Sequence, residues 1–176
     1  MPSTTPADLL ARRRDLILAG DADGFAALFT PDAVIDMPFS GTPEAPARVA
    51  GRTAIQEYAR RAMSSPMRLE DFEISELHQT QDPEVVVVEM RTKGAVTTTG
   101  RSFSVTSVQI LRIRDGLIAS FRDYADPRVL AEVLGDRHSG ADPRRVRSPG
   151  AIAGRAAFGS LSALRARRGA RSTAEP

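Results

Sequence analysis

The residues of this chain best placed to do chemistry surround a carboxylate in the run Phe121-Arg122-Asp123-Tyr124-Ala125-Asp126-Pro127. Side chains alternate between the two faces of a strand, so Asp123 shares a face with Phe121, Ala119 and Leu117. Ile118, Ser120, Arg122 and Tyr124 point the other way. An acid on an apolar face lines a cavity, where loss of water disfavours the carboxylate, raises its pKa and suits it to proton transfer near neutral pH. The plainer uses of such an acid are capping the next helix or answering Arg122 on a sheet edge. Asp126 is better placed to cap, directly ahead of Pro127 and the apolar run Val129, Leu130, Val133, Leu134.

Other polar groups are candidates for the same cavity. On the strand from Arg101 to Arg114, one face reads Phe103, Val105, Ser107, Gln109, Leu111, Ile113, which sets Ser107 and Gln109 within an apolar surface, as a small-molecule pocket requires. They can equally satisfy neighbouring backbone groups or each other. Asp36 shares a face with Val34. If that face is turned inward, Asp36 and Asp123 form a carboxylate pair whose pKa values separate into an acid and a base; if not, Asp36 caps a turn. Glu89 and Arg91, two apart on a strand, share one face and are either part of the site or an exposed ion pair. With two histidines, His78 and His138, no cysteine and no close carboxylate spacing, no metal site is expected. Neither a Gly-rich phosphate loop nor a Ser-His-Asp pattern is present in the sequence.

The elements that must position these residues follow from periodicity. Leu9, Leu10, Leu16, Ile17 and Leu18 predict a helix from Pro6 to Ala19, stopped by Gly20. Asp21 caps a second short helix carrying Phe25, Leu28 and Phe29, and Thr30-Pro31-Asp32 turns the chain. A short strand follows from Val34 to Phe39, with Ile35 and Met37 opposite Val34 and Asp36. Ser40 to Ala50, with two prolines, reads as a loop. A third helix opens at Gly51-Arg52-Thr53-Ala54-Ile55, its buried stripe being Ile55, Tyr58, Ala59 and Ala62. Four long strands are then predicted at about Met67–His78, Glu84–Val96, Arg101–Arg114 and Leu117–Tyr124, with Asp115-Gly116 a strong hairpin signal. Helices followed by an antiparallel meander give an α+β fold: a curved sheet wrapped on N-terminal helices around a conical pocket.

Composition sets outer limits. The 176 residues, 41% of them hydrophobic, suffice for one domain. The absence of cysteine excludes disulfides and thiolate catalysis. Neither a leader pattern nor a membrane-length apolar run occurs, so a cytoplasmic protein without membrane contact is expected. The overall charge of +2 is unevenly divided: residues 136–176 hold nine Arg against three acids, net +6, leaving −4 on residues 1–135. A folded domain over 1–135 and a basic, disordered tail over 136–176 are expected, with weak helical periodicity over 151–168. Lacking interleaved aromatics, the tail is not expected to bind nucleic acid.

Three local patterns carry a resemblance: Ala19-Gly20-Asp21-Ala22-Asp23-Gly24-Phe25 with Leu28-Phe29-Thr30-Pro31-Asp32-Ala33; Gly51-Arg52-Thr53-Ala54-Ile55; and Asp115-Gly116-Leu117-Ile118 running into Phe121-Arg122-Asp123-Tyr124. Over residues 6–135 the chain resembles the NTF2-like superfamily of cone-shaped α+β domains, in its SnoaL-like and limonene-epoxide hydrolase-like branch. The last run is similar to the Trp-Arg-Asp-Tyr-Phe-Asp segment of limonene-epoxide hydrolases, which implies catalysis at Asp123. SnoaL-like cyclases and phenazine-biosynthesis A/B proteins also place an acid near this strand end. The hydrolases' Tyr-x-Asn-x-Pro strand falls on Val34, Asp36 and Pro38, and their Arg-x-Asp pair falls near Glu89-Met90-Arg91 with acid and base interchanged. Against ketosteroid isomerase, the base falls at Met37, the helix-one tyrosine at Arg13 and the proton-sharing aspartate near Gln109, so that constellation is absent.

The resemblance implies a cofactor-independent acid/base enzyme of specialised metabolism acting on a hydrophobic small molecule, either epoxide hydrolase-like or cyclase/isomerase-like. Asp123, Asp36, Glu89 and Arg91 are the expected catalytic set. Gln109, Ser107, Val34, Met37, Tyr58 and Phe121 are the expected substrate contacts. A homodimer through the open sheet face is expected. The alternative is a non-catalytic small-molecule-binding or dimeric assembly module.

Overall fold

A computed structural model describes residues 5–134; the tail expected over 136–176, its helical stretch and the boundary between tail and domain lie outside them. Thr5 begins helix α1 (Pro6–Ala19) through a capping box, accepting from the Asp8 N–H at 3.2 Å while the Asp8 carboxylate accepts from the Thr5 N–H. Gly20, at φ 71°, supplies the left-handed residue that ends it. Asp21 caps helix α2 (Ala22–Ala27) by accepting from the Gly24 N–H at 2.8 Å. There follow β1 (Phe29–Gly41), β2 (Pro46–Ala50), α3 (Arg52–Met63), β3 (Met67–Gln79), β4 (Val85–Val96), β5 (Ser102–Arg114), β6 (Leu117–Ala125) and α4 (Pro127–Leu134).

The six strands form one sheet in the order β2-β1-β6-β5-β4-β3, antiparallel throughout except where β1 runs parallel to β6. Two expectations are corrected here. Thr30-Pro31-Asp32 does not turn the chain but lies inside β1, where the register against β6 shifts between Phe29 and Val34. A proline, having no N–H to give, fits a place where the ladder is interrupted. The stretch Ser40–Ala50 is not all loop, because its end forms β2 along the edge of β1. Prolines hid this strand, and Pro46 is its first residue, where a missing donor is tolerated.

Asp115 and Gly116 adopt φ values of 51° and 74°, the left-handed pair that a tight hairpin between β5 and β6 requires. The hairpin fixes the register that puts Gln109 opposite Asp123 and Leu111 opposite Phe121. One irregularity alters the expected alternation: Arg112 pairs with Ser120 but Ile113 pairs with Ile118, so Ala119 is an extra residue. Ile118, and not Leu117, therefore shares the buried face with Phe121, and it is fully buried.

The inner face of the sheet packs on the helices in a main apolar cluster that includes Leu9, Phe25, Phe29, Ile35, Ile55, Val88, Leu111 and Ile118. A smaller cluster of Met67, Val96, Phe103, Val105 and Val133 joins α4 to the other end of β3, β4 and β5. Gly94 permits part of this packing, because a Cβ there would stand 2.6 Å from the Phe103 ring and 2.4 Å from the Arg68 carbonyl oxygen. Among the described residues, no helix is long and apolar enough to cross a membrane.

Candidate functional site

Between the two clusters lies a cavity of about 320 Å³, walled by apolar side chains from β1, β3, β5, β6 and the three N-terminal helices. Its polar end is built by two adjacent strands and two helices. Asp123 and Phe121 project inward from β6, and Gln109 and Ser107 from β5. Helix α1 contributes Arg13, α3 contributes Tyr58, and β1 contributes Ile35 and Met37. Arg13, Ser107 and Gln109 are 6%, 6% and 3% exposed, and they are the buried polar residues among those described. Groups so removed from water must find partners or a ligand.

Part of their hydrogen-bonding capacity is used within the site. Arg13 Nη1 donates to Gln109 Oε1 at 2.8 Å, and its guanidinium carbon stands 4.6 Å from the centre of the Phe121 ring, a cation–π contact. The Tyr58 hydroxyl donates to Met37 Sδ at 3.5 Å. Two buried atoms are left over: Arg13 Nε and Asp123 Oδ1 have no hydrogen-bond partner. Ser107 and Gln109 stand near enough to act on the Asp123 carboxyl as donors, yet neither completes a well-formed bond to Oδ1. Leaving such an atom unpaired costs about 1–3 kcal/mol.

Burial pushes the Asp123 carboxyl above the ordinary Asp value, with Arg13, then Gln109 and Ser107, pulling it back. The same burial, aided by Asp123, raises the Tyr58 phenol well above its usual value, against the opposing charge of Arg13. Loss of water also lowers the Arg13 value, while Asp123 and Tyr58 favour its charge. Three residues along, the contrast is complete. Asp126 caps α4, accepting from the Arg128 N–H at 2.9 Å, and is held down at about 2 by hydrogen bonds from the Arg128 side chain and backbone.

The site gathers Asp123, Gln109, Ser107, Met37, Tyr58 and Phe121 around one cavity. It does not gather the rest of the expected set. Asp36 and Val34 lie on the opposite face of β1 from Ile35 and Met37, and Asp36 is 3.5 Å from Arg48 of β2. Glu89 and Arg91 are exposed on the outer face of β4, where Glu89 is 3.3 Å from His78 and Arg91 is 3.9 Å from Glu73. Met90 and Thr92 face inward instead, Met90 being buried and Thr92 lining the cavity. The acid partner sought in Asp36 or Glu89 is therefore on the other side of the sheet. Arg13 was not among the candidate site residues. Its signal was available: it stands four residues after Leu9, three after Leu10 and four before Ile17, interrupting the apolar stripe of α1 with a charge. Among the described residues, no three His, Asp or Glu side chains form a group able to hold a metal ion.

Comparison with known proteins agrees with this architecture. A family model described as the SnoaL-like domain matches residues 11–121. The uncharacterized PhzA/B-like protein PA3332 of Pseudomonas aeruginosa is 30% identical over 129 residues, 73% of this chain and 89% of that protein. A Bacillus subtilis crystal structure, provisionally named an isomerase, superposes with a TM-score of 0.67 at 26% identity, covering 73% of this chain and 91% of that one. The epoxide hydrolase/cyclase-like enzyme SalBIII, associated with pyran ring formation in the polyether salinomycin, shares the fold with a TM-score of 0.56 at 20% identity, over 68% of this chain and 88% of its own. With that family model spanning most of the described domain, the chain belongs to the SnoaL-like family of the NTF2-like superfamily.

Proposed function

We propose that the chain is a cofactor-independent enzyme that moves a proton within one uncharged, hydrophobic carbonyl compound, as an isomerase or cyclase does. The observation that carries this reading is the sealed, unpartnered Oδ1 of Asp123 at the polar end of an otherwise apolar cavity. As carboxylate, Asp123 removes a proton from a carbon beside the carbonyl, and the electron pair moves to the carbonyl oxygen as an enolate. The protonated Asp123 then returns the proton elsewhere on the substrate, or to the same carbon. The pKa of Asp123, raised by burial, suits both halves of that cycle. The Arg13 guanidinium supplies fixed positive charge beside the developing enolate, in a site where water does not screen it.

An epoxide-hydrolase chemistry has less support. It requires a second base to deprotonate an attacking water, and Asp123 is the one acid among the described residues lining the cavity. Arg13 already occupies the face of Phe121 on which a ligand cation would sit, so neutral substrates are favoured over amines.

Deuterium exchange into 2-tetralone, a bicyclic ketone with acidic α-protons, tests the proposal. The native protein should accelerate exchange in D2O, and folded Asp123→Asn should not. Exchange undiminished in that variant would remove the central residue from the mechanism.

A further inference from the structure

The side-chain amide of Gln109 has an accepting end and a donating end, and which of them meets Asp123 decides what Gln109 does to that acid. A guanidinium has donors and no acceptor. Since Arg13 Nη1 lies 2.8 Å from the amide, the end turned toward α1 must be Oε1. That leaves the N–H end for Asp123, which stands directly across the β5–β6 ladder from Gln109. The arrangement is confined, because Gln109 and Arg13 are both buried and Phe121 covers the guanidinium. Were the amide reversed, its oxygen would face the carboxylate, repelling the ionised form and accepting from the protonated one.

We infer that Arg13 is a positioning residue: by fixing the direction of the Gln109 amide, it keeps Asp123 ionised and ready to accept a proton at rest. The inference rests on Asp123 being the proton-transfer group of the reading above. The charged and titratable groups around Asp123 are few. Arg13 comes from α1 and Tyr58 from α3, and Arg68 of β3 stands on the cavity wall, held 2.7 Å from Glu70. β5 contributes the neutral Ser107 and Gln109, and the inward residues of β1, Ile35 and Met37, do not titrate. Arg13 thus acts on Asp123 in two ways, directly through its charge and indirectly through the amide.

A titration of the Asp123 carboxyl by carbon NMR separates the two. Arg13→Met, similar in bulk, should move the midpoint upward by about 1–3 units, and Arg13→Lys, which still donates to Oε1, should leave it near the native value. In a Gln109→Leu background, the Arg13→Met shift should shrink, since only the charge is then lost. An equal shift in both backgrounds, or Arg13→Lys behaving as Arg13→Met, would overturn the inference. If Arg13→Met does not fold, the native protein gives the answer. Proton contacts from the Gln109 Nε2 group to the Asp123 β-protons, with slowed exchange of that amide, are expected, and their absence would overturn it. Because no turnover is measured, the outcome is independent of the Asp123→Asn experiment that tests the reading itself.

Discussion

On the outer face of the sheet, Asp36 meets Arg48, Glu89 meets His78 and Arg91 meets Glu73, at 3.3–3.9 Å and within reach of water. On the inner face, Asp123 and Arg13 share a cavity with Phe121, and each keeps one buried polar atom without a hydrogen bond. The residue types are the same and the strands are neighbours. What differs is solvent, which weakens the outer pairs to little more than solvated charges and leaves the inner groups strongly coupled. Asp126 repeats the lesson within one turn of chain: at the surface, with Arg128 as partner, it is held at about 2, while Asp123 is moved the other way.

The contrast can be broken most sharply by removing acids one at a time. Asp123→Asn should cost about 10²–10⁴-fold in proton exchange, whereas Asp36→Asn and Glu89→Gln should leave the rate unchanged. A comparable loss from either outer acid would dissolve the distinction between the faces. Stability should divide in the same way. Leu111→Ala, which empties a fully buried inner position, should cost about 2–5 kcal/mol in urea unfolding. The half-exposed Val108, on the outer face of the same strand, should tolerate alanine with little change.

A smaller effect concerns pH. Asp123 binds its proton more tightly folded than unfolded, so its contribution makes stability fall as pH rises from the ordinary Asp value through its raised one. Asp126 binds its proton less tightly when folded, so its contribution is present above the ordinary value and lost as pH falls toward about 2. Melting curves across that range should show Asp123→Asn and Asp126→Asn removing slopes of opposite sign. Smallest of all, Arg91→Gln should leave both exchange rate and melting temperature at their native values.

Much of this was legible in the sequence, for reasons that particular residues make plain. Asp115-Gly116 announced the hairpin, and alternation along β5 placed Ser107 and Gln109 inward, because a regular strand preserves its period. The long strands and the helix ends at Gly20 and Asp21 followed from the same local rules. What alternation could not supply was which side of β1 and β4 faced the helices. Val34 and Asp36 are candidates because they fall on the hydrolases' Tyr-x-Asn-x-Pro strand and because an inward Asp36 would pair with Asp123. The deciding information is the packing of Met37 and Met90 into the core, which is tertiary. β2 was masked by prolines, and the extra residue Ala119 breaks the count along β6. Arg13, noted only as standing where the isomerase's helix-one tyrosine falls, is absent from the expected site because a charged residue within an apolar helix stripe reads as surface until something across the cavity is known to receive it.

The tyrosines divide between the two faces as the acids do. Tyr58 lines the cavity, Tyr124 sits edge-on to Phe39 with ring centres 5.6 Å apart, and the chain contains no tryptophan and no third tyrosine. Tyrosine emission from this protein therefore arises from two fluorophores, each assigned in advance to one side of the sheet. In Tyr124→Phe the remaining signal comes from the cavity alone, so quenching on addition of a small molecule reads its entry directly, with no label attached.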